Sequence, residues 1–183
     1  MPSGLLRLWA PIGAPTHTLG SQYAPSGGGE GDNTGGPKEF LGPDSWPTLV
    51  IESGYSQTLG SLHRKMRWWF SASNHAVQIV VIAKLDRTSS TIFIQRFQEE
   101  AAQSRQGGTS TRHSSSLQPA LMQEIKITRI TVNPAQFTIT SGDLNLPFKR
   151  LFLRNPTLHE PENVIITVAQ LREYAVDFWR VVP

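Results

Sequence analysis

Asp44 and Glu52 are the two residues whose type and spacing could do chemistry together. Asp44 sits in a Gly-Pro-Asp-Ser run, and Glu52 comes eight positions later at the end of the β-branched stretch Thr48, Leu49, Val50, Ile51. Such a stretch reads as a strand buried on both faces. A carboxylate continuing it is costly to bury unless it is paired, hydrogen-bonded or bound to a metal. Two carboxylates on adjacent elements could hold Mg²⁺, a hard cation that takes oxygen ligands and shares its shell with water and phosphate. Each acid also has a plainer reading. Gly-Pro-Asp-Ser is a common turn tetrad, and Glu52 could be neutralised by Arg64 or Lys84 at the sheet edge.

The segment from Pro43 to Leu85 must position these acids. Gly54 breaks the first strand, Ser56 can cap the next helix, and Leu59, Leu62, Met66, Trp69 and Phe70 recur at the spacing of one helical face. The spacing predicts a helix over Thr58 to Ala72. Trp68 and Trp69 are adjacent, so they cannot both face the core. Val77 to Leu85 gives a second apolar strand, and the unit reads as strand, crossover helix, parallel strand. The fold class is α/β, with a mixed sheet of about five strands flanked by this crossover helix and a C-terminal helix.

The flanks are read more coarsely. Residues 1–37 are rich in Gly, Pro, Ser and Thr and are expected to be flexible. Leu5, Leu6, Leu8 and Trp9 form the apolar patch there, either a docked short helix or a sticky tail. Residues 38–183 form a single domain. Thr91 to Phe97 and Glu124 to Val132 alternate as strands, with residues 99–122 as a flexible excursion between them. Phe137 to Thr140 is a short strand, and Leu144 to Phe152 an apolar segment. A helix over Thr167 to Val181 closes the chain, opened by a capping box of Thr167 and Gln170.

Several of these fragments resemble a known family. Pro43-Asp44, PTLVIESGYS (Pro47 to Ser56), the Trp68-Trp69 pair, VQIVVIAKLDR (Val77 to Arg87), ITSGDLNLPFKRLFLRNP and VAQLREYAVDFWR look like a family of fungal proteins similar to the restriction-endonuclease-like, or PD-(D/E)xK, nuclease superfamily. The resemblance covers residues 38–183. It implies a restriction-endonuclease-like fold and Mg²⁺-dependent phosphodiester hydrolysis of DNA or RNA. Asp44 and Glu52 would bind metal, and Lys65 or Arg64 would stabilise the attacking water or the scissile phosphate. In the superfamily a lysine two residues after the second acid helps activate that water, and here the position is Gly54. Lys84 is a more distant candidate for the role. The missing lysine motivates the alternative, a catalytically inactive interaction module that keeps the fold and binds a protein partner. Arg64, Arg67 and Trp68 are the candidate nucleic-acid contacts, although basic residues on a helix are more often a solvated face.

Composition narrows the remaining classes. The net charge of +3 permits nucleic acid without arguing strongly for it. With no cysteine there is no disulfide framework and no thiolate zinc site. The five histidines lack metal-ligand spacing, and neither a nucleophile elbow nor a phosphate loop is present. No segment approaches a membrane span. The expectation is an intracellular protein, nuclear or cytoplasmic.

Overall fold

Residues 3–14, 16–18, 28–42, 45–101, 117–132 and 135–182 are described by a computed structural model of the chain. The strands in chain order are β1 (Trp9–Gly13), β2 (Thr16–Thr18), β3 (Gly28–Glu30), β4 (Asn33–Pro37), β5 (Leu49–Gly54), β6 (Ile79–Asp86), β7 (Thr91–Ala101), β8 (Leu117–Val132), β9 (Ala135–Ile139), β10 (Leu144–Pro147) and β11 (Asn163–Ile166). The helices are α1 (Ser3–Leu6), α2 (Leu59–Ala72), α3 (Phe148–Phe152) and α4 (Val168–Val181). Seven strands make one mixed sheet in the order β1-β4-β5-β6-β7-β8-β9. Only β5 and β6 are parallel neighbours, joined through α2, and the other adjacent pairs are antiparallel.

Burial on both faces explains the near-continuous apolar sequences of β5 and β6. On one face Val50, Val80 and Ile82 pack against Leu62, Met66, Trp69 and Phe70 of α2. On the other, Leu49, Ile79, Val81, Ile94 and Ile125 meet Leu146, Phe148, Leu151, Phe152 and Leu171 from β10, α3 and α4. The cap of α2 is Thr58, whose Oγ1 accepts from the Ser61 N–H at 3.2 Å, so Ser56 lies too early to serve. α4 begins as expected, with Thr167 and Gln170 in a reciprocal capping box.

Three expectations change. The main sheet has seven strands rather than about five. Residues 1–37 are not simply a tail, because β1 and β4 join the sheet and Leu5 and Trp9 are buried. Glycine there can be a packing device: a Cβ on Gly35 would lie 2.6 Å from Trp9 Cζ2, so the indole can lie on the strand only where a side chain is missing. The excursion at 99–122 also shrinks, since β7 runs to Ala101 and β8 starts at Leu117, with Glu99 opposite Pro119 and Ala101 opposite Leu117. Polar residues sustain this arm because ladder pairing uses backbone groups. Its connection, residues 102–116, lies outside the described residues. Along β8 the register slips so that Met122 is an extra residue between Leu121 and Gln123, and β9 pairs only with Ile127 to Val132.

Just beyond the end of α2, a ring of hydrogen bonds ties the α2–β6 connection to β7 and α3. His75 Nδ1 meets Glu99 Oε2 at 2.7 Å, Arg150 donates to the Glu99 carbonyl at 3.4 Å and to Gln78 Oε1 at 3.1 Å, and Gln78 Nε2 returns to the His75 carbonyl at 2.8 Å. Arg96 does less well. It is 8% exposed, and its Nε and Nη1 have no hydrogen-bond acceptor among the described residues. Burial alone pushes its guanidinium below the usual arginine range. Replacing a buried guanidinium whose Nε and Nη1 lack acceptors by an apolar side chain of similar length removes a desolvation penalty. Arg96→Met is therefore expected to stabilise the fold by about 1–3 kcal/mol, read as a higher urea midpoint; a clear loss of stability would mean the guanidinium is satisfied.

Candidate functional site

Alternation along β5 turns Val50, Glu52 and Gly54 toward α2 and Leu49 and Ile51 away from it. Glu52 is therefore aimed into a helix interface, and it is fully buried. Lys65 Nζ donates to Oε2 at 2.6 Å and Trp69 Nε1 donates to Oε1 at 2.6 Å. Lys65 and Trp69 are four apart on α2, so one flank of the helix grips both oxygens. Trp69 is fully buried, while the Lys65 side chain is 33% exposed. Desolvation raises the Glu52 pKa above the usual carboxylate value, Lys65 and Trp69 pull it back, and Asp32 adds a smaller upward push.

Asp32 is a site residue that the sequence does not announce. It precedes β4, whose Asn33 pairs with Ile51, and its Oδ2 accepts from the backbone N–H of Ser53 at 2.5 Å and from Ser53 Oγ at 2.6 Å. A second carboxylate thus stands near Glu52, brought there by the antiparallel pairing of β4 with β5. Nothing in the local sequence Gly31-Asp32-Asn33 signals this.

The expected site residues have separate fates. Lys65, which the resemblance puts beside the attacking water, is instead ion-paired with Glu52. Asp44 lies outside the described residues. Arg64 is exposed and has no partner among the described residues, so it is not the cation that neutralises Glu52. Neither is Lys84, whose Nζ donates to the carbonyls of Tyr55 at 2.9 Å and Leu85 at 2.6 Å. Gly54 has no room for a lysine in its place: a Cβ there would lie 2.6 Å from Leu62 Cδ1 and 3.2 Å from Lys84 Cδ. The three candidate nucleic-acid contacts divide between flanks of α2. Trp68 is half-buried, with its ring edge-on to Trp46 at 6.2 Å. Arg67 is exposed one turn beyond His63, on the flank facing β7.

That second flank carries its own polar line. His63 Nε2 lies 2.8 Å from Gln95 Oε1, and Gln95 Nε2 donates to Glu124 Oε2 at 2.7 Å. With the Gln95 oxygen turned to the ring, His63 Nε2 must carry the hydrogen. Glu52, Ile82, Gln95 and Glu124 stand in one row across four strands, and the buried Ile82 separates the two polar centres.

As a metal site the described donors do not fit. No group of three or more His, Asp or Glu is arranged around a common point among the described residues. Glu52 would have to release Lys65 or Trp69 to coordinate an ion, and Asp32 already holds Ser53 with one oxygen. Among the described residues no helix is long and apolar enough to cross a membrane. No protein-family model, curated protein or solved structure matches the chain.

The causes acting on Glu52 give directions for variants. Lys65→Met should raise the Glu52 pKa further and cost about 2–3 kcal/mol, reduced from the full penalty of a broken buried pair because Lys65 is partly solvated. Asp32→Asn should lower it. Because the folded pKa exceeds the unfolded one, Glu52 takes up protons on folding, and its contribution to stability falls as pH rises from the ordinary carboxylate range through the folded pKa. Carbon-detected NMR titration of Glu52 with urea midpoints at several pH values checks all three directions.

Proposed function

We propose that the protein is an interaction module with a restriction-endonuclease-like architecture, in which the acid and lysine of a former reaction centre hold the fold instead of cutting phosphodiesters. The observation that carries this reading is the closure of Glu52: both oxygens are engaged, no solvent reaches them, and Leu62 fills the space two residues on. Hydrolysis needs a carboxylate open to metal and water with a cation beside the attacking oxygen. Lys65 is committed to Glu52, and Lys84 to two backbone carbonyls. The architecture supports the fold assignment through its strand, helix and parallel strand, with β4 antiparallel beside the acid-bearing strand.

Mg²⁺-dependent phosphodiester hydrolysis of DNA or RNA is the second reading, favoured by one observation, the presence of Asp32 near Glu52 and Lys65 beside the C-terminal half of β5. In that reading Asp44, Asp32 and Glu52 would hold the ion once Lys65 swung away, and Arg64 and Arg67 would meet the phosphates.

Calorimetric titration with Mg²⁺ and Mn²⁺, run beside cleavage of labelled single- and double-stranded DNA and RNA, separates the two. The interaction module is expected to bind neither ion stoichiometrically and to leave every substrate intact. Stoichiometric binding and cleavage that both vanish in Glu52→Gln would establish the nuclease instead. If nucleic acid is held without cleavage, Arg64→Glu with Arg67→Glu should weaken it, and affinity should drop about tenfold between about 50 and 200 mM salt for two neutralised phosphates.

A further inference from the structure

The surface around β1 and the end of α3 exposes more apolar side chain than a solvated edge requires. Leu6 and Leu8 are both more than 40% exposed, as are Phe40 and Leu153. Single exposed leucines are ordinary, but Leu8 among these four lines a cleft. The Lys38 N–H donates to the Leu8 carbonyl at 2.9 Å, which draws the short helical turn Lys38–Phe40 against the start of β1. The Trp9 ring meets Phe152 edge-on at 5.6 Å, which sets the end of α3 beside it. Between them lies a cleft of about 170 Å³ that Leu8, Pro37 and Phe152 line together with Arg7, Lys38 and Arg154.

Leu153 has φ +57° because it is the left-handed residue that closes α3. The charges around the cleft are unequal. Arg154 is neutralised by Glu160 through two bonds of 2.6 and 2.7 Å, which hold the Glu160 carboxyl at a pKa of about 2. Arg7 and Lys38 have no side-chain partner among the described residues, and Glu39 is the one carboxylate lining the cleft among them.

We propose that this cleft is a docking site for an acidic, amphipathic peptide segment of a partner protein, with leucine- or phenylalanine-type side chains entering against Leu8 and Phe152 and carboxylates meeting Arg7 and Lys38. It rests on the interaction-module reading and names the partner class. The hydrophobic anchor supplies affinity and the available cations select the partner's charge.

The test is a phage-displayed library of peptides of about fifteen residues, followed by anisotropy of the enriched sequences as labelled peptides. Enrichment of Leu or Phe interleaved with Asp or Glu is expected. Binding should fall about tenfold in Leu8→Ala and in the double variant Arg7→Glu, Lys38→Glu. Enrichment of basic peptides, no enrichment, or a concentration-dependent dimer lost in Leu8→Ala would overturn the proposal, the last by placing a second copy on the surface. Metal-dependent cleavage in the nucleic-acid assay would remove the interaction-module reading without touching these binding measurements.

Discussion

A carboxylate cannot be left alone in a dry interface, and the central part of this fold is arranged to prevent it. Glu52 lies between β5 and α2 with water excluded, where an isolated charge would be driven to neutrality. Lys65 and Trp69 meet its two oxygens from successive turns of one helix. That geometry fixes the rotation of α2 about its axis, since turning the helix by one residue would carry both donors off the acid. With the rotation fixed, Leu62 falls over Gly54 and Met66 and Phe70 face the sheet, so packing on this side depends on one ion-paired contact. The arrangement sets specificity more than stability, because an apolar trio of the same shape would avoid the desolvation penalty.

The opposite face is held differently. Its core is broad and apolar, and the polar ring of His75, Gln78, Glu99 and Arg150 sits at its margin, where partial solvation lowers the penalty of charge. One face is thus registered by a buried acid and the other by shape.

Much of the centre is readable from residues. The β-branched run, the three-and-four spacing of Leu59 to Phe70 and the second apolar run give β5, α2 and β6 nearly as they stand, because each signal is local and its period is set by the element itself. That Lys65 and not Arg64 partners Glu52 is not legible, because neighbouring basic positions on one helix differ only in its rotation against the sheet. Asp32 and Gly35 are not readable. Asp32 matters only through antiparallel pairing of β4 with β5, a non-local fact, and Gly35 serves by having no side chain under Trp9. Composition marks its segment as flexible because it counts glycines without knowing what lies on them. Gly54 reads in sequence as a loss of chemistry, whereas its physical reason is Leu62.

The outer margin of β8 has a bearing on how this chain behaves among its own copies. From Leu117 to Ile125 no strand lies beyond it among the described residues, and such an edge is an open template for another molecule's backbone. Pro119 removes one amide from that row, and the extra residue Met122 twists the strand away from a straight ladder. A growing stack would meet a missing donor and a bend within the same short stretch. Backbone pairing along the outer margin of this arm is thus interrupted by the strand's own covalent and register features, independently of surface charge.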